Sequence, residues 1–315
     1  MKFTDIALNN QLQKALNTLE YNQATEIQQQ AIPLILADND VMARAKTGTG
    51  KTAAFALPIL NKLIEKKINS ECVSALVLAP TRELVQQIYS NFKNYGKYTD
   101  IKVAAVFGGV SIKPQIKDII LGVDVLIATP GRLLDLLSND HLSLKNVTVL
   151  TLDEADRMLD LGFKAELDQI LKQIPAKRQT LLFSATFDDT IYTFGNSVLN
   201  NPKIVTIDEK NQAAENVEQI AYTVDSDRKR ELLSYLIGSK NWKQVLIFTR
   251  TKKMADELAK EMGKDGIKTQ SIHGDKSQGA RDKVLADFKA GKVRALVATQ
   301  EYFSANVEYL PIEGD

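Results

Sequence analysis

Short apolar runs rich in β-branched residues recur along the chain, and longer amphipathic stretches separate them. The runs are residues 40–45 (DVMARA), 74–80 (SALVLAP), 102–109 (KVAAVFGG), 124–130 (DVLIATP), 147–155 (VTVLTLDEA) and 180–186 (TLLFSAT). Between them, residues 52–66 and 82–93 carry apolar positions at helical spacing. Alternating strand and helix signals predict an α/β domain with a doubly wound parallel sheet. Ligands of such sheets sit beyond the carboxyl ends of the strands. The segments to examine are therefore AKTGTGKT, APTREL, FGG, ATPGR, DEAD and SAT.

A polar stretch without helical periodicity then interrupts the alternation, and residues 206–217 read as a linker between a first domain, 1–205, and a second, 218–315. In the second, residues 218–224 (EQIAYTV), 244–249 (QVLIFT), 268–274 (KTQSIHG) and 293–299 (VRALVAT) read as strands. Residues 228–239, 252–264 and 277–291 read as helices, giving a second α/β unit that is begun but not finished.

Composition narrows the functional classes. The 315 residues are 44% hydrophobic and 25% charged, an ordinary globular balance. Net charge is +1, so any nucleic-acid site is expected to be a local patch or a backbone-lined groove rather than a global basic field. With one cysteine, Cys72, no internal disulfide forms; a small packed residue beside a strand in a cytoplasmic, reducing setting is expected. No apolar stretch approaches the ~18 residues of a membrane span, and the N-terminus lacks a signal core.

Two segments carry the chemistry. Ala45-Lys46-Thr47-Gly48-Thr49-Gly50-Lys51-Thr52 follows a strand and opens a helix. It matches the phosphate-loop pattern G-x-x-x-x-G-K-[ST], with Ala45 in place of the first glycine. Its glycines let backbone N–H groups curl around phosphate oxygens, Lys51 reaches toward the β- and γ-phosphates, and the Thr52 hydroxyl is placed to ligate Mg²⁺. Downstream, Asp153 and Glu154 end an apolar strand. A carboxylate at such a strand end needs a partner, and a metal ion held by Asp153 and the Thr52 hydroxyl supplies one, leaving Glu154 to orient or deprotonate water. A solvated acidic turn capping the next helix is the plainer alternative.

The string Asp153-Glu154-Ala155-Asp156 resembles the signature of the DEAD-box RNA helicases, and other segments are similar to that family's motifs in the same order. Phe3, Tyr21 and Ala24-Thr25-Glu26-Ile27-Gln28 resemble the adenine-reading Q motif. Pro80-Thr81-Arg82-Glu83-Leu84, Gly108-Gly109 and Thr129-Pro130-Gly131-Arg132 resemble its RNA-contacting motifs. Ser184-Ala185-Thr186 resembles the segment that couples ATP state to RNA, with Asp156 as its partner. Phe248-Thr249-Arg250-Thr251, then His273-Gly274-Asp275, Gln278 and Arg281, match the second lobe, and the likeness runs over residues 3–299. The text between the motifs looks closest to the bacterial RhlE-type subgroup.

The resemblance implies two RecA-like parallel-sheet domains of the P-loop NTPase kind, the second incomplete. It implies ATP held by Phe3, Tyr21, Thr25, Gln28 and residues 45–52, with Phe3 stacking on adenine and Gln28 reading its edge bidentately. It implies Mg²⁺ on Thr52 and Asp153, partly through water, and catalysis by Lys51, Asp153 and Glu154. RNA contacts are implied at Pro80, Thr81, Arg82, Gly108, Gly109, Thr129, Pro130, Gly131, Arg132, Gln278, Arg281 and Thr299, mainly to backbone and with little sequence preference. The expected activity is ATP-dependent local strand separation in RNA, with ribosomal or RNA-decay complexes as partners by resemblance. After Thr299 the text departs from the family, and the family's later arginine motif is missing. Arginines of that sort contribute about 10³–10⁵ in turnover, so a truncated chain that binds ATP and RNA without hydrolysis is the alternative expectation.

Overall fold

The computed structural model describes residues 1–46, 48–66, 72–207 and 220–299. Thr47, positions 208–217 of the expected linker and the divergent residues 300–315 lie outside them. The described residues fall into two compact units, 1–207 and 220–299.

The first unit is a parallel sheet wrapped on both faces. Its strands are β1 (Val41–Arg44), β2 (Ala75–Leu78), β3 (Val103–Val106), β4 (Val125–Ala128), β5 (Val149–Leu152), β6 (Gln179–Ser184) and β7 (Lys203–Thr206), in spatial order β3-β4-β2-β5-β6-β1-β7. Every pairing in it is parallel. The helices are α1 (Asn10–Thr18), α2 (Glu26–Leu36), α3 (Lys51–Lys66), α4 (Arg82–Tyr95), α5 (Ile112–Ile120), α6 (Pro130–Ser138), α7 (Ala155–Asp160), α8 (Lys164–Leu171) and α9 (Asp189–Val198).

Strand residues alternate between two cores, as a period of two requires when both faces are covered. Val41, Ala43, Ala75, Val77, Leu181 and Phe183 join the core under α1 to α4. Met42, Leu76, Leu78, Leu150, Leu152 and Leu182 join the core under α6 to α9. Phe194 sits in that second core, and Phe187 packs partly against it. Strands β2, β4, β5 and β6 are buried throughout, which is why they read as near-continuous apolar runs.

The second unit has strands β8 (Val245–Thr249), β9 (Thr269–Ile272) and β10 (Ala295–Thr299) in parallel order β8-β10-β9. Its helices are α10 (Lys229–Ser239), α11 (Lys252–Lys264) and α12 (Gln278–Lys289). β10 is fully buried, whereas β8 is half-exposed and its Phe248 faces outward.

Two expectations fail. The strand read at 218–224 does not form among the described residues 220–224: Ile220 is 52% and Tyr222 46% exposed, so its alternation meets no apolar partner. Cys72 is exposed, because it precedes β2 instead of packing beside it. No described helix is long and apolar enough to cross a membrane.

Candidate functional site

Six motif segments of the first unit lie at the carboxyl edge of its sheet, while Phe3, Tyr21 and residues 24–28 precede β1. Ala45 follows β1, Pro80 follows β2, Gly108 follows β3, Thr129 follows β4, Asp153 follows β5 and Ala185 follows β6. Register brings the key ends together. Ala45 N–H donates to the Ser184 carbonyl at 3.0 Å, and Asp153 N–H donates to the Leu78 carbonyl at 2.9 Å.

The phosphate loop is shaped by its two glycines, at φ +83° (Gly48) and +88° (Gly50). Thr49 Oγ1 ties the loop back to the Lys46 carbonyl at 2.8 Å. Gly50 is needed for space as well as φ: a Cβ there would run into the Gln28 amide. Lys51 opens α3 with Thr52 behind it. The Lys51 ammonium is buried and has no hydrogen-bond partner among the described residues. Such a group awaits an anion.

Asp153 is 2% exposed, and burial raises its carboxyl above the usual range despite the nearby Lys51 charge. Its Oδ1 accepts the Glu154 N–H at 3.1 Å. Glu154 occupies the left-handed region, φ 52° and ψ 52°, rare for a residue with a Cβ. Burial, then the Asp153 charge, pushes its carboxyl up to about 7. Strain and a displaced pKa at one buried carboxylate mark a functional position. Asp156 Oδ2 accepts from Ala185 N–H at 3.0 Å, Thr186 N–H at 3.0 Å and Thr186 Oγ1 at 3.2 Å. Thr186 N–H also reaches the buried Ser184 Oγ at 3.3 Å. The acidic turn after β5 is thus bonded to the loop after β6.

These residues fit a magnesium–nucleotide. The donors are oxygens, and the orphaned ammonium lies beside a glycine loop. Among the described residues no group of three or more His, Cys, Asp or Glu side chains gathers for a metal.

Phe3 is 2% exposed, and its ring stacks on Tyr21 at 6.2 Å. Tyr21, 40% exposed, also packs its ring against Tyr95 at 6.0 Å. Gln28 is buried with both ends of its amide engaged: Oε1 accepts from Thr25 N–H at 2.8 Å, and Nε2 donates to the Gly50 carbonyl at 3.0 Å. In this arrangement Gln28 links the start of α2 to the phosphate loop, and each end of its amide keeps one further hydrogen-bonding position.

The loops after β2, β3 and β4 form a second cluster. Arg82 lies over Gly109, whose φ of +73° and missing Cβ admit the guanidinium. Arg132, 9% exposed at its side chain, donates from Nη2 to the Val110 carbonyl at 3.0 Å, while Nη1 is buried without a hydrogen-bond partner. Pro130 opens α6, with Thr129 as its cap residue and Gly131 next. Thr81 caps α4, its Oγ1 accepting Leu84 N–H at 3.3 Å. Gln115 bonds both the N–H and the carbonyl of Phe107 at 3.1 Å and so fixes the Gly108-Gly109 turn. Sequence reading missed Gln115; a polar residue on an otherwise apolar helix face was the available signal.

In the second unit Thr299 ends β10, 5% exposed and in register with Thr249. Gln278 and Arg281 occupy the first turn of α12. Of Thr47 and of the Gln278 side chain nothing is described. Trp242 is 38% exposed, with Lys240 Nζ over its ring at 5.8 Å. Residues 220–299 hold 17 Lys and Arg against 10 Asp and Glu, an excess that the acidic residues of 208–219 and 300–315 offset.

Comparison with known proteins supports the same reading. The DEAD/DEAH box helicase family matches residues 25–194, and the helicase conserved C-terminal domain matches residues 228–301. ATP-dependent RNA helicase CshA of Listeria monocytogenes is 40% identical over 95% of this chain, which spans 57% of that relative's length. ATP-dependent RNA helicase RhlB of Pseudomonas putida is 40% identical, with 95% of this chain and 77% of the relative covered. Among solved structures, S. cerevisiae Dbp5 bound to RNA and ADP BeF3 matches with TM-score 0.80 at 29% identity, over 95% of this chain and 76% of that one. With family matches over both units and the acidic turn bonded to the Ser184-Ala185-Thr186 loop, the chain belongs to the DEAD-box helicase family.

Proposed function

We propose that this chain binds ATP with Mg²⁺ and RNA, and couples ATP hydrolysis to local separation of RNA strands. The observation that carries the reading is the buried, unpartnered Lys51 ammonium beside Asp153 and Glu154, in a turn bonded to Thr186. Thr52 and Asp153 would hold the Mg²⁺ that accompanies ATP, partly through water, and the ion supplies charge neutralisation at the phosphates. Lys51 offers its ammonium to the β- and γ-phosphates, and the loop glycines let backbone N–H groups close on them. Tyr21 gives adenine an aromatic face, backed by Phe3.

Glu154, with its carboxyl near pH 7, orients the attacking water and takes its proton. Asp156 then transmits the state of the acidic turn to Ala185 and Thr186 through three bonds. RNA phosphates meet Arg82, Arg132 and the Gly109 turn, with Gln278, Arg281 and Thr299 contributed by the second unit. Such contacts position the strand without reading its sequence. The test is steady-state ATP hydrolysis with and without single-stranded RNA, beside Lys51→Ala. RNA-stimulated turnover that disappears in the variant supports the reading; turnover equal in both overturns it.

A further inference from the structure

The second unit contains a cluster that the proposed chemistry does not use directly. α11 presents Lys252 and Asp256 one turn apart, on one face. Asp256 Oδ1 accepts from Ser271 Oγ at 2.5 Å and lies 2.9 Å from Lys276 Nζ. It is also 3.0 Å from His273 Nε2, a close contact rather than an aligned hydrogen bond. Lys252 Nζ donates to Asp275 Oδ1 at 2.6 Å. The helix thus grips the segment from the end of β9 through Lys276 at two points of opposite sign. A turn closes the grip, with Lys276 N–H on the His273 carbonyl at 3.1 Å. The next residue, Ser277, caps α12, accepting Ala280 N–H at 3.4 Å, and α12 begins with Gln278.

The clamp contributes little to packing. α11 packs through Ala255, Ala259 and Met262, while the Asp256 side chain is 49% exposed. Ion pairs at such exposure add little stability. The Ser271 bond, followed by Lys276 and His273, holds the Asp256 carboxyl well below its usual range, so it stays charged. A permanent charge gathering several groups of one loop fixes geometry more than stability.

We propose that Asp256, supported by Lys252, is a positioning residue for RNA: it sets the β9–α12 loop so that Gln278 and Arg281 meet the RNA backbone. This rests on the reading of those two residues as RNA contacts. The experiment measures the affinity of the full chain for a short single-stranded RNA in the presence of ADP–beryllium fluoride. Asp256→Ala is expected to weaken binding about fivefold, and to weaken it no further in a chain already carrying Gln278→Ala and Arg281→Ala, because it acts through those two residues. Lys252→Asp and Asp275→Lys each weaken binding, and their combination restores it. Amide exchange over β10 shows that the unit remains folded.

Unchanged RNA affinity in Asp256→Ala, with Arg281→Ala weakened, overturns the positioning role and leaves the RNA reading intact. A further loss when Asp256→Ala is added to Gln278→Ala and Arg281→Ala also overturns it, since it marks independent or general damage. Unchanged affinity in both Gln278→Ala and Arg281→Ala refutes the RNA reading of α12 and the proposal with it.

Discussion

The two units are built from one strand–helix grammar but place their charge differently. In the first, seven parallel strands are closed off on both faces, and the chemically important charges (Lys51, Asp153, Glu154) are buried at the sheet edge. In the second, three strands carry small cores, β8 is half-exposed, and the ion pairs of residues 220–299 lie mostly at the surface. Buried charge is expensive and suits a single ligand held at close range; exposed charge is inexpensive and suits an extended polyanion.

The largest expected contrast is in amide exchange. Amides of β5 and β6 should be protected on the order of a thousandfold more than those of β8, because local opening follows burial. Equal protection in hydrogen-exchange mass spectrometry would break the comparison. Next in size, Lys51→Ala should lower ATP turnover about a hundredfold or more, as loss of a preorganised electrostatic contact does. Nucleotide-dependent protection should vanish from the phosphate loop, with second-unit exchange unaltered in the absence of nucleotide.

Glu154 sharpens the contrast through pH. Its carboxyl is raised in the fold from 4.5 to about 7, so the folded unit holds a proton that the unfolded chain has released. That stabilisation is full below pH ~4.5 and is lost as pH rises through about 7. Glu154→Gln should therefore stabilise the first unit at pH 8 by roughly 3 kcal/mol and leave it unchanged at pH 4, as read by denaturant melts. In the parent, ATP turnover should fall as pH drops below about 7, where the base is protonated. A pH-independent rate would remove Glu154 from that role.

The smallest effect compares matched caps. Thr81 caps α4 and Thr251 caps α11 through single bonds of 3.3 and 3.2 Å. Alanine at either position should cost about 1 kcal/mol. Thr251→Ala should shift the second unit's transition visibly, while Thr81→Ala makes a smaller fractional change in a larger unit.

The carboxyl-edge placement of the segments after β2, β4, β5 and β6 was legible because each follows a buried apolar run whose end is clear, as at Leu152-Asp153. The phosphate loop was legible from its residue pattern together with its place between a strand and a helix. Side-chain facing was not. Nothing in the order of residues says that Phe3 hides behind Tyr21, or that the Gln28 amide turns toward Gly50. Residues 220–224 alternate like a strand, yet a strand also needs a neighbour, which local pattern does not supply. The Asp256 cluster joins α11 to a loop after β9, a contact fixed only by tertiary structure.

The basic excess of residues 220–299 bears on how fast a complex forms as well as how tightly it holds. Long-range attraction speeds encounter with a polyanion and fades within a Debye length, about 8 Å at physiological ionic strength. Raising salt should therefore slow capture of RNA well before it hastens release. Across residues 208–315 the 18 basic and 18 acidic side chains balance, so such steering is local to the surface that residues 220–299 present.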